Sequence, residues 1–455
     1  MPMVLRPYRS LHRCSLDWHR HSHRFLSSTI SVSTPAATAT QEGLLVPSLS
    51  TTFPYRWLRD SCTCSNCIHP STQQKLHRSS DVPASISPES VQTTTDGVHI
   101  AWSGADNHRS FFPLSFLETH TGPAALHSFH QDVAVALWPT APALLAVSDK
   151  DLDVPYSDLR TARGLMRAIT QLQRTGLLFV RDVPHGDTSD AGCELRQLVS
   201  HFAELRETFY GATWDVKAIV DSRNIAYTSL YLGLHMDLQC VCSLCPRARP
   251  SDRERGAAST RAHRYFESPP RFQVLHCLRN RVHGGTSLFV DAFAAASALR
   301  TAHPADFARL VATPVPFHYI NDARHLHHAH PTISLGPAST STSGEPHITA
   351  VSYSPPFQAP LPRDTPAAFY TALGRFAALT EAPTAVYSRR LSEGDAVVFD
   401  NRRVLHGRTA FESGSRSDNV VGNEPNRWLK GGYFEGDVLA NHGRMLRTRA
   451  ARGEI

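Results

Sequence analysis

The sequence has no apolar run of the roughly 18–20 residues that a membrane-crossing helix needs, so a soluble protein without a membrane span is expected. It also has little charge. Asp, Glu, Lys and Arg make up 19% of the chain against 41% hydrophobic residues, the balance of a folded globular protein. Basic charge is scarce outside two segments. Residues 1–35 hold five arginines against Asp17, and residues 240–264 hold six against Asp252 and Glu254, so each carries +4. The formal total is +6, which leaves −2 for everything else. A chain whose body is not basic argues against a polyanion partner, so no nucleic acid is expected. The first 35 residues nearly lack acid and lack the compact apolar core of a secretory signal. Rich in Arg, His and Ser, residues 1–35 read as a mitochondrial transit peptide removed after import, and the matrix is the expected location, with the cytoplasm as the alternative.

At 455 residues the chain is too long for one ordinary core, which implies two domains or one elaborated domain. Its organising stretch is Leu234-His235-Met236-Asp237-Leu238, read with the distant Leu405-His406-Gly407. Side chains two apart on a strand share a face, so His235 and Asp237 can chelate one ion. His406, which follows the short apolar strand and turn formers of Ala396–Asn401, is the candidate third ligand. Two imidazoles and a carboxylate on one face of a metal leave the opposite face open, as non-haem Fe(II) oxygenases require. Downstream, Arg427 offers a guanidinium that can take a dicarboxylate bidentately.

Three thiols, Cys62, Cys64 and Cys67, fall within six residues of a chain without a secretory signal and read as zinc ligands. A structural zinc needs a fourth ligand, and His69, His77, His99, His108 and His120 are candidates. Cys240, Cys242 and Cys245 repeat the spacing inside an Arg/Pro/Ser-rich segment without helix or strand periodicity. Residues 36–50 read as a linker, and 336–345 as a low-complexity surface loop.

From about 150 to 205 the pattern is helix, strand, helix: Leu165, Ile169 and Leu172, then Leu177–Val180, then Leu195, Val199 and Phe202. Beyond 205, alternation in Phe272–Leu278, in Gly284–Asp291 and in 396–400 predicts an antiparallel β core, interrupted by one amphipathic helix over 292–312 and another over 365–382. The expected fold is mainly β with inserted helices: a double-stranded β-helix, or jelly roll, over 150–455, carrying its metal at one mouth, and a small zinc-binding β domain over 40–135.

In these motifs the chain resembles the γ-butyrobetaine and trimethyllysine dioxygenases, Fe(II)- and 2-oxoglutarate-dependent hydroxylases of the wider taurine-dioxygenase-like group. The segment Leu58–Cys67 resembles the family's zinc domain, in which the fourth ligand is a histidine soon after a Trp, here His108 after Trp102. The iron ligands implied are His235, Asp237 and His406, and the 2-oxoglutarate arginine is Arg427. Gly284-Gly285-Thr286-Ser287 is similar to a family turn whose hydroxyl, here Ser287, also holds the cosubstrate. The resemblance further implies an aromatic cage for a trimethylammonium group from Tyr210, Trp214, Tyr227 and Tyr433, since such a cation offers no hydrogen bond and is held by ring faces. Asn224, a neutral amide, is similar to the butyrobetaine branch, while the trimethyllysine branch tends to carry acid there; Ser354 stands where the butyrobetaine branch has a second asparagine.

The implied reaction is hydroxylation of γ-butyrobetaine to carnitine with dioxygen and oxidative decarboxylation of 2-oxoglutarate to succinate and CO₂, stimulated by ascorbate. Trimethyllysine or another betaine is the alternative substrate. A zinc-ribbon nucleic-acid-binding module, a pseudoenzyme disabled by the insertion, and a homodimeric assembly are further possibilities that the sequence leaves open. Residues 240–264 separate Asp237 from Pro269-Pro270; excising them restores the family spacing, which marks them as an inserted surface loop or a retained intron.

Overall fold

A computed structural model of the chain describes residues 36–104, 107–138, 152–217, 225–239, 269–321, 324–337, 345–412 and 425–455. Residues 1–35, residues 240–264 with their cysteine triad, Asn224 and most of residues 336–345 lie outside the described residues. Among the described residues no helix is long and apolar enough to cross a membrane.

The chain divides into two compact units, one ending at Glu118 and one running from Thr119 to Ile455. In the first, Thr38–Ala39, Leu44–Val46 and Thr51–Phe53 form one antiparallel sheet, and Pro88–Thr93, Gly97–Trp102 and Arg109–Pro113 another. The expectation of a linker over 36–50 is therefore corrected. Leu44 and Val46, two apart on a strand, both point inward and pack with Phe53, Leu58, Trp102 and Phe112.

The second unit is built on two sheets. The larger has the order Asp153–Pro155, Leu177–Arg181, Ala396–Asp400, Phe272–Asn280, Arg427–Phe434, Thr213–Lys217. The smaller has the order Leu232–His235, Val404–Arg408, Ser287–Asp291, Tyr387–Arg389. Apolar runs explain the packing, because successive residues serve opposite faces. Leu177, Phe179, Val397 and Phe399 meet Phe289, Tyr387 and Val404 of the smaller sheet, while Leu178, Val180, Ala396 and Val398 turn outward to a second core. Helices Ala162–Thr175, Glu194–Ser200 and Gly436–Ala451 contribute to that second core. The first of them starts where Thr161 Oγ1 accepts from the Gly164 amide and stops at Gly176, whose φ of +77° suits a left-handed cap.

The single helix expected over 292–312 is two, Ala292–Ala302 and Pro304–Ala312. Pro304 cannot donate into the preceding turn, and His303 takes φ −141°, so the chain turns there and both helices pack on the outer side of the smaller sheet. The expected 365–382 helix spans Ala367–Glu381.

Candidate active site

Strand pairing assembles the first part of the site. His235 and His406 sit directly opposite each other in antiparallel register, with ring centroids 4.2 Å apart. His235 Nδ1 lies 2.8 Å from the Gly233 carbonyl, which can only accept, so Nδ1 carries the hydrogen and Nε2 is the atom turned to Asp237. That Nε2 lies 3.4 Å from one Asp237 carboxylate oxygen, and His406 Nε2 lies 3.9 Å from the other. The three ligand atoms fall within 4.8 Å of one another, and two imidazoles with one carboxylate suit a divalent iron.

Asp237 stands just past its strand and is fixed by a partner far along the chain. The Asp237 amide donates to Asn401 Oδ1 at 2.9 Å, and Asn401 Nδ2 donates back to the Asp237 carbonyl at 3.1 Å. The next residue, Leu238, has φ +58°, a left-handed conformation that costs a bulky side chain about 1–2 kcal/mol. The Tyr433 hydroxyl donates to Asp237 Oδ2 at 2.7 Å. Burial opposes ionisation of Asp237, but the hydrogen bond with His235, the nearness of both imidazoles and the Tyr433 hydroxyl hold its carboxyl well below the usual range. Burial, then the neighbouring His235, pushes His406 down to about 3, leaving it the neutral imidazole that ligates metals.

Arg427 opens the strand Arg427–Phe434 and is 5% exposed. It stacks over Phe411 at 5.4 Å, its Nε is buried without an acceptor, and among the described residues no carboxylate pairs with it. Burial and the nearby Arg408 push it down to about 10. Space for it comes from the turn at Gly284 and Gly285, with φ +84° and +67°; a Cβ on Gly285 would lie 3.1 Å from Arg427 Nε. Ser287 follows on the smaller sheet and lines the same cavity as Arg427 and the His/Asp triad.

The opposite wall of the cavity is aromatic. Tyr433 stacks on Trp214 at 4.2 Å, Trp214 meets Tyr210 at 5.9 Å, Tyr210 meets Phe209 at 4.1 Å, and Phe209 stacks on Tyr319 at 5.7 Å. Gly431 makes the first stack possible, since a Cβ there would fall 2.4 Å from the Trp214 ring. Tyr227 and Phe357 complete the lining. The structure thus brings together Tyr210, Trp214, Tyr227 and Tyr433, while Asn224 lies outside the described residues. Sequence reasoning missed Tyr319, Phe357 and Arg408. Tyr319 alternates with Val315 and Phe317 on the inward face of a strand, a pattern indistinguishable from plain core.

In the first unit, Cys62, Cys64, Cys67 and His108 converge, all four ligand atoms within 4.8 Å. His108 Nε2 lies 3.3, 3.8 and 3.6 Å from the three sulfurs in that order. Tetrahedral zinc with ordinary bond lengths separates nitrogen and sulfur ligands by about 3.5 Å, so the cluster fits that ion.

Residues 47–118 match the family model "Gamma-butyrobetaine hydroxylase-like, N-terminal", and residues 250–433 match "Taurine catabolism dioxygenase TauD, TfdA family". The chain is 46% identical over 411 residues to dioxygenase str8 of Strobilurus tenacellus, covering 90% of this chain and 88% of that one. It is 31% identical to the gamma-butyrobetaine dioxygenase of Pseudomonas sp. (strain AK-1), covering 85% and 88%. It is 28% identical to the trimethyllysine dioxygenase of Neurospora crassa, covering 95% and 89%.

Proposed function

Because the chain is a dioxygenase belonging to the family of the γ-butyrobetaine and trimethyllysine dioxygenases, we propose that it uses Fe(II) and 2-oxoglutarate to hydroxylate a small trimethylammonium compound, γ-butyrobetaine to carnitine first among them. One observation carries the reading. A single cavity is lined by the His235, Asp237 and His406 triad, by Arg427, with which no carboxylate pairs among the described residues, and by an aromatic wall. His235, Asp237 and His406 would hold the iron, and Arg427, with Ser287 beside it, would hold the far carboxylate of 2-oxoglutarate. Bound there, iron and cosubstrate supply the oxidising chemistry. Tyr210, Trp214 and Tyr227 would present ring faces to the quaternary ammonium, and Tyr433 would both close that wall and orient Asp237 through its hydroxyl. The part of the protein is to hold one C–H bond at a fixed distance from the metal.

Among the described lining residues Asp237 alone is acidic, and it faces the two histidines. Among the described residues no carboxylate is left for the α-ammonium of trimethyllysine, which favours a betaine carboxylate. The relative at 46% identity carries no substrate in its name, so another betaine remains the second reading. Cys62, Cys64, Cys67 and His108 would hold a structural zinc. Two of the relatives, the human and mouse trimethyllysine dioxygenases, are described as mitochondrial, and the arginine-rich residues 1–35 support the same address here. Succinate release with Fe(II), ascorbate and 2-oxoglutarate tests the reading, measured with γ-butyrobetaine, with trimethyllysine and with neither. Stimulation by γ-butyrobetaine that vanishes in His235→Ala is the expected result. Stimulation by trimethyllysine alone would overturn the substrate assignment, and no succinate under any condition would overturn the oxygenase.

A further inference from the structure

The loop that carries Tyr227 to the cavity has few supports of its own. Ile225–Tyr227 is a single short turn, closed by the Thr228 amide on the Ile225 carbonyl at 3.1 Å, and Leu230 and Tyr231 beyond it are more than half exposed. Such a segment is ordered by what reaches it from outside. The Phe411 amide donates to the Ser229 carbonyl at 3.0 Å. Three more bonds to the loop come from one side chain. Arg408 Nη2 donates to the Thr228 carbonyl at 2.7 Å and to the Leu230 carbonyl at 2.8 Å, and its Nη1 donates to the Ala226 carbonyl at 3.3 Å. These three acceptors alternate along the loop and flank Tyr227.

Arg408 lies two residues past His406 on the same strand, is 5% exposed and lines the cavity. No carboxylate pairs with it among the described residues, so its charge is committed to neutral carbonyls, and its Nε is buried without an acceptor. Its guanidinium sits 4.8 Å over the Phe411 ring, whose other neighbour is Arg427. A planar fork with five donors can span three carbonyls; a lysine ammonium at the same place reaches fewer of them in one geometry.

We infer that Arg408 is a positioning residue for substrate: it fastens the Ile225–Leu230 loop to the strand that bears His406, and so fixes the Tyr227 ring against the substrate side of the cavity. This rests on the oxygenase reading for its catalytic consequence, but the loop contact itself does not. Arg408 thereby sets how well the site holds substrate, whereas Arg427 meets the cosubstrate.

The test compares wild type with Arg408→Gln and Arg408→Lys as full-length protein. Amide hydrogen exchange is followed at residues 225–231 and, as a folding control, at Phe272–Asn280. Calorimetry measures 2-oxoglutarate binding to the Mn(II)-loaded protein, and succinate release gives KM for γ-butyrobetaine. Exchange in the loop should rise at least roughly tenfold in Arg408→Gln, as expected for losing a charge-assisted hydrogen bond, with the Phe272–Asn280 strand unchanged and Arg408→Lys intermediate. KM for substrate should rise by more than kcat falls. Unchanged loop exchange in a folded variant overturns the inference. So does loss of 2-oxoglutarate binding with the loop still protected, which would make Arg408 an anion ligand. If even wild type releases no succinate, the oxygenase reading fails, while the exchange data still decide the role of Arg408.

Discussion

Replacing Arg427 with Met should weaken 2-oxoglutarate binding and at the same time stabilise the ligand-free protein. The opposite signs follow from its surroundings. Arg427 is 5% exposed, and among the described residues no carboxylate pairs with it, so folding moves a charge out of water with little return. Burial, with Arg408 adding repulsion, brings its pKa from the ordinary arginine value down to about 10. At every pH below that value the charged guanidinium costs the folded state about 3 kcal/mol. Stacking on Phe411 at 5.4 Å returns about 1 kcal/mol, so Arg427→Met should raise unfolding stability by about 2 kcal/mol. The same desolvated charge makes Arg427 a strong partner for a carboxylate. Losing such a pair costs about 2–5 kcal/mol, roughly 30-fold to several thousandfold in Kd. Urea denaturation with and without 2-oxoglutarate, alongside calorimetry, reads both effects. Wild type should gain stability with added 2-oxoglutarate, and the variant should start higher and gain nothing. A variant that is less stable than wild type yet binds 2-oxoglutarate normally would refute the reasoning and make Arg427 a structural residue.

Other residues give equally checkable outcomes. Arg403 is buried against Asp291 at 2.7 Å and also donates to the Arg174 carbonyl, so Asp291→Ala should destabilise by about 3–5 kcal/mol in urea unfolding, more than the double variant Asp291→Leu with Arg403→Met. Burial pushes His276 down to about 4, so the unfolded chain takes up a proton that the folded one refuses; its stabilising contribution is complete above the ordinary histidine value of about 6.5 and lost as pH falls toward 4. His276→Leu should flatten the stability profile across that window, and an unchanged slope would show the proton uptake lies elsewhere. Cys64→Ser should remove one equivalent of zinc by metal analysis and expose the unit ending at Glu118 to proteolysis, while retention of zinc would dismiss the four-ligand site. Deleting 240–264 should leave Mn(II) affinity within about threefold, whereas Asn401→Ala should lower it by roughly 10–100-fold, the usual effect of losing a group that orients a ligand; the reverse order would show that the insertion positions Asp237.

The residues carrying chemistry by type were legible, and those acting by placement were not. His235, Asp237 and His406 stand out because few side-chain types bind metal, but the strand ends at His235, so Asp237 reaches the histidines from a turn and not by the alternation of strand faces. The apolar runs 177–180 and 396–400 likewise declare strands buried on both sides. Tyr433 reads from sequence as one more ring for a cage, yet its hydroxyl reaches Asp237 across 196 positions, a contact no local pattern encodes. Tyr319 and Phe357 look like core because a substrate wall and a hydrophobic core use the same side chains. The split at His303 was signalled by Pro304, but helical periodicity on both sides of it masked the break.

Asn401 shows why a long interruption beside a metal ligand is compatible with an intact site. Its amide group touches the Asp237 amide and carbonyl before residues 240–268 and the Pro270 carbonyl, at 3.2 Å, after them. Arg402, its neighbour, donates to the Pro269 carbonyl at 2.8 Å. The Met236 amide is held in turn by the Tyr353 carbonyl at 2.9 Å. Each of these bonds comes from a residue far from Asp237 in sequence, so among the described residues the backbone at Asp237 is held by the turn following Ala396–Asp400 and by Tyr353. The left-handed Leu238 is held between these supports, packed against Trp214 and Tyr433. The geometry of the triad therefore depends on the β core that delivers His406, the same core that the apolar alternation encodes most plainly.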